Sequence, residues 1–158
     1  EVFPLLLKLK PNLKFTIIGH FSNKRDYQDL INDVAVNFVG PVRSVIPYYM
    51  RSSIAIVPLL SGSGTRLKIL EAMSMGNPVV STGIGAEGIE CTSGKDILIS
   101  DEPSAFANQI ALLLNDHIRF EEIRNNAADL VNRKYQWKQI GDDINIILNR
   151  LISTKKNA

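Results

Sequence analysis

Short apolar runs alternate with amphipathic stretches along most of this chain. "KFTIIG" (14–19), "VNFVG" (36–40), "IAIVPLL" (54–60), "NPVVST" (77–82) and "DILIS" (96–100) are brief and mostly rich in β-branched residues, so each is predicted to be a strand. Between them, 25–33 reads as a short helix. The stretch 44–53 reads as helical but interrupted by Pro47, and 65–75 as a helix closed by Gly76 and Pro78. After the fifth strand the pattern becomes helical, with helices expected over 103–116, opened by Pro103, over 117–135 and over 137–152. Near-continuous apolar strands separated by helices imply an α/β fold with a parallel sheet covered on both faces. The tail "STKKNA" is expected to fray.

A length of 158 residues suffices for one domain with its own core. Basic and acidic residues number 18 and 16, a balance that gives no argument for nucleic acid or a membrane surface. The single cysteine, Cys91, cannot form an internal disulfide and fits a reducing, cytoplasmic setting. No apolar run approaches a membrane span, and the first residues lack the pattern of a signal peptide. The chain opens on Glu1 rather than Met, and is therefore expected to be a piece of a longer protein.

The segment with the most chemical content is "SGSGTRLKILEAMSMGNPVVST" (61–82). In an open parallel sheet, ligands bind beyond the carboxyl ends of the strands, where the segment after strand 54–60 lies. Gly62 and Gly64 let the backbone turn sharply and approach a ligand. Thr65 is a candidate N-cap. The free amides of the following first turn, joined by the cations Arg66 and Lys68, make a candidate phosphate site. A plain turn with solvated Arg66 and Lys68 explains the loop equally well. Glu71 favours the ligand reading. Ile69, Leu70, Ala72 and Met73 cover most of that helix, and Glu71 shares the remaining face with Leu67 and Ser74; a carboxylate buried there would need partners, which a sugar diol could supply. A salt bridge from Glu71 to Arg66 or Lys68, or simple exposure, are the alternatives.

"GIGAEG" (83–88) matches the spacing of a dinucleotide fingerprint. That fingerprint requires a helix starting within it, whereas here the chain runs on to another strand. It is read as a loop on the ligand side, with Glu87 facing the site or capping backbone amides. His20 and His117 are assigned no chemistry, and Tyr48, Tyr49 and Trp137 are read as packing residues.

The stretch "SGSGTRLKILEAMSMGNPVVSTGIGAEGI", with the later "YQWKQI", resembles the donor-binding region of group 1 glycosyltransferases of the GT-B fold. The resemblance runs through nearly the whole chain and covers the C-terminal, nucleotide-sugar half of such an enzyme. It implies a Rossmann-like domain over 1–158, truncated at its N-terminus. The partner would be a nucleoside diphosphate sugar serving as donor substrate, with no separate cofactor and no metal. The whole enzyme would be a retaining hexosyltransferase-like transferase of polysaccharide biosynthesis, moving the sugar to an acceptor hydroxyl, and the isolated piece is expected to be inactive. The acceptor-binding N-terminal domain would be a further partner, and any peripheral membrane contact would run through it. The alternatives are half of a nucleotide-sugar epimerase and a nucleotide-sugar-binding module without catalysis.

By resemblance, Glu71 holds the second place of the family's E-x7-E pair and would bind the donor ribose. Ser63 stands where the first glutamate of the family contacts the sugar. Gly62, Gly64, Thr65, Arg66 and Lys68 would lie near the sugar and diphosphate. Val42 and Arg43, in "FVGPVR" (38–43), would lie near the nucleobase. Catalytic residues are not assigned. The family's last helix crosses to the N-terminal domain, so the stripe Ile140, Ile144, Ile147, Leu148, Leu151 is expected to be partly exposed, or covered by another chain.

The family order also places a first strand between 14–19 and 54–60, and "EVFPLLLKLKP" reads as the end of the helix after that strand. The five remaining strands are then expected to pair as two and three across a gap. The piece would be marginally stable, would dimerise, or would fill the gap. Direct pairing of 14–19 with 54–60 is the alternative.

Overall fold

The structure, a computed structural model, describes residues 1–20 and 28–156. The elements, in chain order, are α1 (Val2–Leu9), β1 (Phe15–Ile18), α2 (Gln28–Ile31), β2 (Val36–Val39), α3 (Ile46–Tyr49), β3 (Ala55–Val57), α4 (Leu67–Ser74), β4 (Val79–Ser81), α5 (Gly83–Ala86), β5 (Leu98–Ile99), α6 (Pro103–Asn115), α7 (His117–Lys134) and α8 (Trp137–Lys156). Each predicted strand is present, trimmed at its ends. Residues 25–27 of the first predicted helix lie outside the described residues.

All strand pairs are parallel. β1 pairs with β2, Phe15 opposite Val36, and a separate sheet runs β3-β4-β5, with Ala55 opposite Val79 and Val80 opposite Leu98. No ladder joins β1 to β3 among the described residues. The strands thus group as two and three, as expected, and the alternative of direct pairing between 14–19 and 54–60 is not what forms.

β4 is the central strand of its sheet and is buried throughout. Its side chains alternate between faces. Val79 joins Val57, Ile69, Ala72, Met73, Ala127, Leu130 and Val131 beneath α4 and α7. Val80 joins Leu98, Phe106, Ala107, Ile110, Leu113, Ile123 and Leu6 on the other face, beneath α6 and α1. α1 also stacks Phe3 on Phe15 of β1, the ring centroids 5.3 Å apart, so it touches both sheets.

α4 buries Ile69, Ala72 and Met73, the i, i+3, i+4 stripe of an amphipathic helix. Its end is set by Gly76 at φ +78°. The Asn77 amide bonds the Ala72 carbonyl at 2.9 Å and the Gly76 amide bonds that of Met73 at 3.1 Å, a Schellman ending. Its start differs from expectation: Arg66, not Thr65, stands at the N-cap, and no side chain caps it. Thr65 instead uses its backbone carbonyl, which accepts from Leu67 N at 3.1 Å.

α8 runs further than expected, through Lys156, into the stretch read as a fraying tail. Ile144, Ile147 and Leu148 on it are 51%, 56% and 50% exposed, so the expected stripe does stand partly in solvent. Ile140 is half-buried, and the Leu151 side chain lies outside the described residues. Trp137 is 87% exposed, which overturns its reading as a packing residue. No helix among the described residues is long and apolar enough to cross a membrane.

Candidate functional site

The carboxyl ends of β3, β4 and β5 lie on one edge of their sheet, because the strands are parallel. Two glycine-bearing segments meet there. The first follows β3 and carries Gly62 at φ +125° and Gly64 at φ +84°, conformations that a side chain would strain. The second follows β4. Thr82 ends that strand and caps α5, accepting from Gly85 N at 3.0 Å, while its hydroxyl donates to the Leu59 carbonyl. One side chain thus ties both segments together. Ser81 reinforces the tie, its hydroxyl donating to the Val57 carbonyl at 3.2 Å. Asp101, just past β5, accepts from Gly83 N at 2.8 Å.

The segment 83–88, read as a loop, therefore contains one helical turn. Gly85 allows it to sit low on the sheet: a Cβ there would come 2.3 Å from Ser81 Oγ and 2.6 Å from the Val57 carbonyl. Gly88, at φ +81°, then brings the segment against Thr65. A shallow groove of about 430 Å³ opens beside it, lined by residues that include Ile84, Glu87, Gly88, Cys91 and Ile99. Next to its lining residues Ile89 and Cys91, Glu90 is tied to the end of α7: the Tyr135 hydroxyl accepts from Glu90 N at 2.7 Å and Lys134 pairs with the Glu90 carboxylate. A larger concavity, about 630 Å³, runs along α8 by Ile146, Asn149, Arg150 and Ser153. It is lined by that one helix and gathers none of the residues singled out for chemistry.

Arg66 is the most informative side chain in the glycine segment. Its guanidinium folds back, with Nη1 donating to the Ser63 carbonyl, and Nη2 so close that a Cβ on Gly62 would meet it at 2.8 Å. Its Nε and Nη2 are buried and have no hydrogen-bond partner. Buried donors of a charged group are costly to leave unpaired. Gly62, Ser63, Gly64, Thr65 and Lys68 are exposed around it.

Glu71 departs from the reasoning that singled it out. It is exposed, because Leu67, Lys68 and Ser74 share the outward side of α4 while Ile69, Ala72 and Met73 take the inward one. No burial penalty therefore demands a partner for it. Its carboxylate forms no hydrogen bond or ion pair with Arg66, Lys68 or any other described residue, although its backbone carbonyl accepts from Ser74 Oγ at 2.8 Å. Its charge is felt by Tyr49, whose hydroxyl is pushed above its ordinary pKa first by burial and then by Glu71.

Val42 is half-buried and Arg43 exposed in the segment between β2 and α3. Neither bonds to the 61–68 segment among the described residues. They are brought toward it indirectly, since the Tyr49 hydroxyl donates to the Lys68 carbonyl at 3.2 Å. His20 is exposed just past β1, and His117 is exposed at the start of α7. Among the described residues, no group of three or more His, Cys, Asp or Glu converges as metal ligands would.

The residues that sequence reasoning missed are Ser81, Thr82, Gly85, Gly88 and Asp101. One signal was visible: Thr82 stands just before a glycine-rich turn, a position from which a hydroxyl caps a helix. The Asp101 contact depends on the turn after β5 and has no local signature.

This arrangement, a parallel α/β sheet with two interlocked glycine segments at its carboxyl edge, is of the Rossmann-like class found in the C-terminal half of GT-B glycosyltransferases. Comparison with known proteins confirms the class. A family profile described as "Glycosyl transferases group 1" matches residues 1–116, and the chain belongs to that family. A Klebsiella pneumoniae protein described as an "Uncharacterized 44.6 kDa protein in cps region" is 29% identical over 151 residues, covering 91% of this chain. The match spans only 39% of that protein's length. Among solved structures, the C-terminal domain of the glycosyl transferase group 1 protein LpcC from Francisella tularensis superposes with a TM-score of 0.73 at 22% identity. It covers 84% of this chain and 75% of that one. Alr3699/HepE from Anabaena, solved with UDP, superposes with a TM-score of 0.82 at 18% identity, over 94% of this chain and 44% of that one. The same Anabaena protein was also solved with UDP-glucose.

Proposed function

We propose that this chain is the donor-binding half of a retaining glycosyltransferase, and that it binds a nucleoside diphosphate sugar at the carboxyl edge of the β3-β4-β5 sheet. The observation that carries the reading is the pair of buried, unpartnered donors on Arg66, set behind a glycine segment at the start of α4. Turned outward from its folded-back pose, the guanidinium would meet the acceptor oxygens of a diphosphate, as would the amides of Gly64 and Thr65. Lys68 adds charge at the rim. Glu71, whose exposed carboxylate has no hydrogen-bond partner among the described residues, accepts hydrogen bonds from the two ribose hydroxyls. Val42 and Arg43 take the nucleobase side. Ser63 offers the sugar only a short hydroxyl where a glutamate would reach further.

The task of such a domain is electrostatic. As the bond between the sugar C1 and the diphosphate oxygen breaks, negative charge grows on the leaving diphosphate, and preorganised donors stabilise it. A new bond forms between C1 and the acceptor hydroxyl oxygen, whose proton is released. The acceptor would be held by a further domain of the same protein, through which any peripheral membrane contact would also run. The description of the Klebsiella relative as a protein in a cps region is in keeping with a setting in polysaccharide biosynthesis.

Calorimetry with UDP, ADP and GDP, and with their glucose conjugates, tests the reading. Saturable binding to wild-type protein, weakened at least tenfold in Arg66→Met, is the expected result. Absence of binding to the folded chain, or full affinity in Arg66→Met, overturns it.

A further inference from the structure

The hydrogen bond from Tyr49 to Lys68 joins the segment after β2 to the first turn of α4. Tyr49 ends α3, the turn that follows the 40–45 segment. Lys68 lies in the first turn of α4, three residues before Glu71, so the two stand on one side of that helix. The Tyr49 ring packs on the core formed by Ile69, Ala72 and Met73, and its hydroxyl reaches the Lys68 carbonyl at 3.2 Å. The other end of α4 grips the same segment. Asn77, only 4% exposed, donates from Nδ2 to the Tyr49 carbonyl at 3.1 Å and also to that of Ser52. The segment after β2 is thus clamped at both ends of α4, and Glu71 lies between the clamps.

We propose that Tyr49 is a positioning residue for nucleotide recognition, its hydroxyl fixing the α4 turn that presents Glu71 relative to the 42–43 segment, so that ribose and base are read in one register. The inference rests on the donor-binding reading above. The physical reason is that an exposed carboxylate on a surface helix turn has free rotamers and solvent around it, and a diol is gripped well only when the acceptor is held in place. The phenol, packed on the core, supplies a fixed bond to the helix backbone one turn from the carboxylate. A phenol is protonated at neutral pH and so is a donor, and burial, then the Glu71 charge, push its pKa further up.

The test measures discrimination rather than affinity. Whichever of UDP, ADP and GDP binds best is compared with its 2′-deoxy form, in wild type, Tyr49→Phe, Glu71→Gln and the double variant, with thermal melting as a check on folding. Wild type should prefer the ribose form by about tenfold or more, as a charge-assisted hydrogen bond to one hydroxyl implies. Tyr49→Phe should lower the preference by about threefold or more, and adding it to Glu71→Gln should lower the preference no further. A merely structural role would weaken both ligands equally. That outcome, or an unchanged preference in Tyr49→Phe while Glu71→Gln erases it, overturns the inference and leaves the donor-binding reading standing. A folded chain that binds none of the three nucleotides overturns both.

Discussion

Gly88 lies against Thr65: a Cβ placed on Gly88 would be 3.3 Å from Thr65 Oγ1 and 3.6 Å from its Cα. This contact is where the segment after β4 meets the one after β3. Gly88 also has φ +81°, which an alanine adopts at a cost of roughly 1–2 kcal/mol. Gly88→Ala should therefore lower stability by about that amount and press Thr65 outward. Affinity for nucleoside diphosphates should fall several-fold, read by calorimetry, while the far-ultraviolet circular dichroism stays unchanged.

Gly85 is more tightly enclosed. Its φ is ordinary, so the constraint is space alone: a Cβ would overlap Ser81 Oγ and the Val57 carbonyl, and neither can retreat easily, since Ser81 is fully buried and the Val57 carbonyl is bonded by Thr82 N and Ser81 Oγ. Overpacking of this kind costs about 1–3 kcal/mol. Gly85→Ala should shift the denaturant midpoint downward accordingly, with the slope of the transition preserved.

Glu71→Gln should behave in the opposite way. The side chain is exposed and unpartnered, so the melting temperature should not change. Replacing a carboxylate acceptor by an amide removes charge assistance worth about 1.5–3 kcal/mol per hydrogen bond. Binding of a nucleoside diphosphate should weaken about tenfold or more. Unchanged affinity in a protein that binds the nucleotide would remove Glu71 from the site.

The strands and the buried stripe of α4 were legible because burial imposes a period. Val79 and Val80 face opposite cores, and Ile69, Ala72 and Met73 recur at helical spacing. The two-plus-three grouping of strands followed from the order expected of the resembled family, not from the residues alone. What was not read was that the face of α4 left over by the Ile69, Ala72 and Met73 stripe, which Glu71 shares with Leu67 and Ser74, lies in solvent. Apolar neighbours in sequence made Glu71 look buried, whereas they occupy the opposite face of α4. Side chains that bond to distant backbone were also hidden. Tyr49 reaches Lys68, and Thr82 reaches Leu59, by contacts that exist only once the sheet has formed. The turn of α5 was missed because a glycine-rich segment has little helical propensity, and it is the Thr82 cap and the Asp101 carboxylate that hold it.

Alkaline pH should reveal two half-buried groups. Burial, and then the Asp96 charge, push the Cys91 thiol above its usual value, despite an opposing backbone hydrogen bond. Burial, and then Glu71, do the same for Tyr49. A raised pKa in the folded state means that the folded protein holds its proton more tightly than the unfolded chain. The associated stability is complete below the unfolded values, about 9 for the thiol and about 10 for the phenol, and is lost as pH rises through the folded ones. Denaturation measured from pH 7 to 11 should show a decline that starts near pH 9. Cys91→Ala should remove its first part and Tyr49→Phe the part above pH 10. Alkylation of Cys91 at neutral pH should be slow.

α8 offers a contrast within one domain. Ile144, Ile147 and Leu148 are each at least half exposed, whereas Ile123 on α7 is fully buried between the helices and the sheet. If the outward face of α8 contributes nothing to this domain's own core, replacing Ile144 and Ile147 together by Gln should change stability by no more than about 0.5 kcal/mol per site. Ile123→Ala should cost about 2–5 kcal/mol, because the cavity it leaves cannot be refilled. Both are measured by the same urea titration. A loss of several kcal/mol from the two glutamines would show that the stripe packs on this domain in solution, and the assignment of that face to a partner domain would fail.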